Sequence, residues 1–146
     1  MNTNFKNTLL SMVSMALHSI GVYHFLSEDE VGSFEYIDTV LDIQGIITVS
    51  EDLELVLFVM GKTNECPSDA IIKALELGIV EPKAELFVSG AEDSNDILYY
   101  FDSIQLGEKT TITTIQNVLM KAFLSAVRSQ KMITQFYSCI DAQDID

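Results

Sequence analysis

LELVLFVMG, residues Leu53 to Gly61, is the longest strongly apolar run in the chain. In an extended strand Leu53, Leu55, Leu57 and Val59 project to one face and Val56, Phe58 and Met60 to the other, with only Glu54 at the margin. An edge strand, or one with a wet face, alternates apolar with polar residues. This one does not, so it is expected at the centre of a sheet and covered on both sides. A chain of 146 residues is short of material for both covers. One is expected from its own helices and the other from a partner.

The β pattern extends upstream to Ser33, because Phe34, Tyr36, Ile37, Val40, Ile43, Ile46, Ile47, Thr48 and Val49 are largely β-branched or aromatic. With turns at Gln44-Gly45 and Ser50-Glu51-Asp52 this predicts a three-stranded meander over Ser33 to Gly61. Further upstream Phe5, Leu9, Leu10, Val13, Ala16, Leu17 and Ile20 recur at three and four, one stripe of an amphipathic helix. Thr3 or Asn4 suits its N-cap, and Gly21 ends it. Tyr23 to Gly32, with its acidic SEDE, reads as a loop.

Downstream, Gly61 to Pro67 is a polar connector. Pro67-Ser68-Asp69 opens a short second helix carrying Ile71, Ile72, Ala74, Leu75 and Leu77, stopped by Gly78. Ala84 to Ser89 and Ile97 to Phe101 form a hairpin around the loop GAEDSN. A third helix starts near Thr110 or Thr111. Ile112, Ile115, Val118, Leu119, Ala122, Phe123, Ala126, Val127 and Ile133 line one side of it for more than five turns, weakly continued by Phe136, Tyr137 and Ile140. The pattern predicts an α+β fold with an antiparallel twisted sheet of about five strands and three helices (α-β-β-β-α-β-β-α). It forms one domain, 1–140, followed by a frayed acidic tail, 141–146. Three helices cover one face of such a sheet well and the other poorly, which favours a dimer.

Composition narrows the function. Apolar residues make up 48% and mean hydropathy is positive, yet 22 acidic against 8 basic residues leave a charge of −14. Disordered acidic chains are poor in apolar residues, so this one is expected to fold. Eight scattered basic residues give no footprint for nucleic acid, and the negative charge disfavours an anionic membrane surface. A basic or polar polypeptide fits, although solubility alone also accounts for the charge. Cys66 and Cys139 are too few for a disulfide framework or a metal site and read as reduced cytosolic thiols. Leu9 to Val22, behind a single lysine and interrupted by His18, makes a poor signal peptide, and no run is long enough to span a membrane.

Chemistry is sparse. His18 and His24 have no ligand-spaced partners and read as structural. Asp29 with Glu30, and Asp93 with Asp96, pair only in sequence, on turns where carboxylates are solvated. No phosphate loop or nucleophile elbow occurs, so no catalytic residue, metal or cofactor is assigned.

Gly32-Ser33-Phe34 at the first strand, Leu55 to Gly61 with Lys62, IIKALELG at Ile71 to Gly78, and the stretch DILYYFDSIQL together resemble the class I type III secretion chaperones. The resemblance runs from about Leu9 to Ile133. It departs at Glu76 and at Ser103-Ile104-Gln105-Leu106, where the family often has Asn and Arg followed by Pro-Leu. It implies a cytoplasmic homodimer without enzymatic activity that winds the extended N-terminal segment of a secreted effector around itself. On that reading Leu9, Val13, Leu17, Phe34 and Tyr36 accept apolar cargo side chains, and Ile72, Leu75 and Leu77 help form the dimer. Taken singly, each of the five cargo residues also reads as ordinary core. The alternative is a small α+β domain that holds an apolar small molecule between sheet and long helix.

Overall fold

A computed structural model describes residues 3–28, 32–62, 66–80, 82–88 and 95–144. In chain order the elements are α1 (Thr3–Ser19), β1 (Tyr23–Leu26), β2 (Ser33–Asp38), β3 (Ile43–Val49), β4 (Glu54–Lys62), α2 (Ser68–Glu76), β5 (Lys83–Val88), β6 (Asn95–Tyr100), β7 (Ile104–Gln105) and α3 (Ile112–Asp144). The fold is α+β. Among the described residues it has three helices and one antiparallel sheet of seven strands, ordered β1-β2-β3-β4-β6-β5 with β7 also paired to β4. The apolar run therefore lies in a central strand, flanked by β3 on one side and by β6 and β7 on the other.

Two strands exceed the five expected. Tyr23 to Leu26, read from sequence as loop, pairs with β2 from Tyr23 opposite Ile37 to Leu26 opposite Phe34. Ile104 and Gln105 make the second addition. The turn between the first two meander strands falls at Thr39–Asp42, where the Asp38 carboxylate accepts from the N–H groups of Val40 and Leu41. Gln44-Gly45, expected as that turn, lies inside β3. The Ser50–Asp52 turn is where it was expected, with Leu53 donating to the Ser50 carbonyl. Helix α3 continues through Asp144, beyond the point where a frayed tail was expected. Residues 29–31 and most of the GAEDSN loop lie outside the described residues, as do Asp29, Glu30 and Asp93.

Register sorts the side chains onto two faces. Phe34, Ile47 and Leu57 stand side by side across β2, β3 and β4, as do Gly45, Val59 and Tyr99 across β3, β4 and β6. This face is the core: Ile47, Val59, Ile97 and Tyr99 have no exposure. Helix α1 packs on it beside α3, which crosses β4, while α2 lies against α3 and the edge strand β5. On the other face Glu35, Ile46, Phe58 and Tyr100 form one row, and Gln44, Met60 and Leu98 another. Each of these is only half-buried.

Gly45 is a strand residue for a packing reason. Its partner in register is Tyr36, whose ring reaches over it and whose hydroxyl donates to the Phe58 carbonyl at 2.7 Å. A Cβ at Gly45 would land on both the Phe58 carbonyl and the Tyr36 ring. An aromatic side chain thus fills the gap that glycine leaves, and it ties three strands together. Tyr36 also stacks on Phe123 of α3, with ring centroids 5.2 Å apart, which joins the lock to the helical layer.

Gly45→Ala is expected to cost about 1–3 kcal/mol by overpacking, and Tyr36→Phe about 1 kcal/mol through the lost hydrogen bond, both read from urea unfolding. Tyr99 tests the opposite case, since among the described residues its buried hydroxyl has no hydrogen-bond partner. Tyr99→Phe is expected to leave stability unchanged or raise it by up to about 1 kcal/mol. Burial raises the pKa of Tyr36 and Tyr99 above the usual value of 10.0. The folded state keeps these protons while the unfolded chain releases them, so stability is complete below pH 10 and falls as pH rises beyond it. Removing the Tyr99 hydroxyl should make that fall shallower.

Candidate functional site

The five residues expected to meet cargo are core. Leu9, Val13 and Leu17 are 0% exposed, Tyr36 is 2% and Phe34 is 6%. The helical stripe faces the sheet and α3, and Phe34 and Tyr36 project to the same side. None of the five offers a side chain to a partner in this conformation. The α2 residues behave differently. Ile72 and Leu77 are 42% and 59% exposed, Leu75 is half-buried, and the buried side of the helix is supplied by Ile71 and Ala74.

The apolar surface that remains comes from elsewhere. Phe25 and Ile37 on β1 and β2, followed across the sheet by Ile46, Phe58, Met60 and Leu98 on β3, β4 and β6, spread over the face opposite the helices. Tyr100 on that face donates to Glu85, and the hydrogen bond raises its pKa. The second apolar side of LELVLFVMG was the sequence signal for this surface. The chain exposes 9027 Å². A compact monomer of 16.3 kDa is expected to expose about 7,500 Å².

A second feature lies at the sheet's edge. Between β4, β7 and α3 opens a hollow of about 380 Å³, walled by Leu55, Leu57, Phe101, Ile104, Val118 and Ala122, with Asp102 and Lys121 at its rim. The sequence alternative of an apolar ligand between sheet and long helix names this region; which residues wall it was not legible, because they meet only where β6 breaks before β7.

The titratable groups do not converge. His18 is exposed at the end of α1. His24 is held at both nitrogens: Nδ1 donates to the Val22 carbonyl at 3.0 Å, and Nε2 lies 2.7 Å from Ser14 Oγ. Its ring meets Phe34 edge-on, so it works as a clamp between α1 and β1. Asp96 corrects the solvated-turn reading. It sits in β6, 4% exposed, opposite Lys62, and among the described residues its Oδ1 has no partner. Cys66 is buried and Cys139 exposed. Among the described residues no three His, Cys, Asp or Glu side chains gather at a metal-binding distance, and no helix is long and apolar enough to cross a membrane.

No protein-family model matches the chain, and neither a curated protein nor a solved structure matches it.

Core and surface are separable by substitution. Leu17→Ala should cost about 2–5 kcal/mol, whereas Leu77→Ser should stay within about 0.5 kcal/mol of wild type, both measured by chemical denaturation at a dilution that keeps the chain monomeric. Equal losses at the two positions would contradict the exposed placement of Leu77.

Proposed function

We propose that this chain is a non-enzymatic chaperone of the class I type III secretion kind. It acts as a cytoplasmic homodimer that holds the extended N-terminal segment of one or more secreted effectors in an export-ready state. The observation that carries the reading is the one-sided sheet. Its three helices pack on one face and at one edge, and the rows through Ile46, Phe58, Met60 and Leu98 on the other face are only half-buried. A binder of extended polypeptide needs such a surface, since apolar side chains of an unfolded segment require cover and its backbone tolerates a long path.

Cargo on this reading meets the open sheet face, not the helical stripe. The dimer contact falls on Ile72, Leu75 and Leu77, whose exposed members lie on a helix too short to be stable without tertiary support. The charge of −14 per chain attracts basic cargo and keeps unrelated copies apart. A second reading has one observation in its favour: the hollow between β4, β7 and α3 is apolar and large enough for a small ligand.

Native mass spectrometry decides between them. The chaperone reading expects a species of two chains that also carries one polypeptide after co-expression with its effector, and an effector N-terminal segment that trypsin spares only in the complex. Added salt should slow association of that complex more than it alters its dissociation. A strict monomer at micromolar concentration that protects nothing would end this reading, and a co-purifying lipid or metabolite in its place would support the second.

A further inference from the structure

The acidic charge is not spread evenly over the molecule. Residues 109–140 hold four of the eight basic residues and none of the 22 acidic ones, so elsewhere four basic residues stand against all the acid, a charge of −18. Three of the four lie on α3, where Lys121, Arg128 and Lys131 are spaced seven and three positions apart. At about 3.6 residues per turn that spacing returns each to one side of the helix, and all three are exposed. Ile115, Leu119, Ala126 and Ile133 occupy the opposite, buried side. The outer side also exposes Met120, Leu124 and Met132 at 40%, 45% and 42%. Met120, Leu124, Arg128 and Met132 follow one another at intervals of four, the row that forms a packing ridge on a helix, here about 18 Å long. The cations on this side are unpaired. Among the described residues the one ion pair joins Lys6 to Glu51, although Asp102 shares the rim of the hollow with Lys121.

We infer that the outer face of α3, from Met120 to Met132, docks an acidic amphipathic helix of a partner protein. A single exposed apolar side chain is ordinary on a surface. Three along one ridge, interleaved with three unpaired cations in so acidic a chain, form a strip that fits an apolar contact with carboxylates beside it. The middle of a helix has no free backbone N–H or C=O to offer, so an extended segment gains no pairing there and contact is made by side chains alone. A second helix meets that condition: its ridges fill the grooves beside Met120, Leu124 and Met132 while its carboxylates reach Lys121, Arg128 and Lys131. An anionic bilayer or a nucleic acid would meet the same cations but bring its charge against a body of −18 over an area far wider than α3. A short helix touches only the strip, and at physiological salt charges more than about 8 Å away are largely screened. A second copy of this chain has no such helix among its described residues. α1 contains no acidic residue, α2 has only nine residues, and α3 is free of acid before Asp141. The strip lies on neither the open sheet face nor α2, so the inference goes beyond the chaperone reading and does not depend on it.

The test uses a fluorescein-labelled helical peptide with leucine at three- and four-residue spacing and glutamate on either flank, titrated into the full chain at about 0.15 M salt and followed by anisotropy. Lys121→Glu, Arg128→Glu and Lys131→Glu combined should weaken it roughly tenfold or more, and Leu124→Ser alone by several-fold. Both variants should keep wild-type stability in urea, since all four side chains are exposed. A photoreactive leucine in the peptide should cross-link to Met120, Leu124 or Met132. A peptide that does not bind wild type, or whose affinity neither variant alters, overturns the inference. Binding to phosphatidylglycerol vesicles, or association beyond two copies, that the triple variant abolishes would also overturn it, by assigning the strip to a bilayer or to this chain. Trypsin protection of an effector segment should persist in the triple variant, so a failure at α3 leaves the chaperone reading standing. Its loss there would place cargo on α3 and overturn the inference instead.

Discussion

β4 is apolar on both faces, and the three helices among the described residues supply enough helix for one of them. That imbalance organises the rest. Leu55, Leu57 and Val59 draw α1 and α3 onto one side of the sheet, and the strands that join β4 inherit the same polarity of faces. Val56, Phe58 and Met60 are left on the other side with only cross-strand neighbours to shield them. Burying an aliphatic or aromatic side chain is worth about 1.5–3 kcal/mol. A row left half-covered therefore holds a driving force for association that the fold itself does not spend.

The helical layer depends on two glycines as much as on apolar contact. At Gly45 the missing side chain makes room for Tyr36, and the Tyr36–Phe58 hydrogen bond closes the sheet under α3. At Gly61 a Cβ would land on the side chain of Gln130, so glycine there lets α3 approach β4 directly. Both positions lie in strands where glycine is normally a weakness. Here each is the place where a larger side chain from another element crosses.

Much of the fold was legible in the residues, for reasons of period and length. The stripes of α1 and α3 repeat over several turns, and β4 and the β5–β6 hairpin carry runs long enough to identify. What escaped was short or tertiary. Tyr23 to Leu26 is four residues between a helix-ending glycine and an acidic stretch, and three of its members are exposed, so no face stood out. Gln44-Gly45 resembles a turn because local chemistry shows only a flexible residue; the Tyr36 ring that needs the space lies nine positions earlier. β7 has two residues, below any periodic signal. The acidic residues after Ile140 suggested fraying, but an established helix of 33 residues propagates through a few unfavourable ones.

The candidate surfaces were half legible for a related reason. A periodic apolar stripe identifies the side of an element that faces inward, which is why Leu9, Val13 and Leu17 were conspicuous and why they proved to be core. A binding surface leaves a different trace: apolar residues beyond what the inward face requires. The second face of β4 carries such an excess, as do Ile72 and Leu77 at α2, which is why the proposed reading places contacts there. Apolar surface of this extent invites indiscriminate aggregation. The chain opposes it with charge, since two copies approaching in an arbitrary orientation bring −14 against −14. Only a contact with close apolar fit over a large area, or a partner of opposite charge, overcomes that repulsion. On the proposed reading the acidity and the half-covered sheet face belong to one arrangement, in which the sheet supplies the attraction and the charge restricts what can use it.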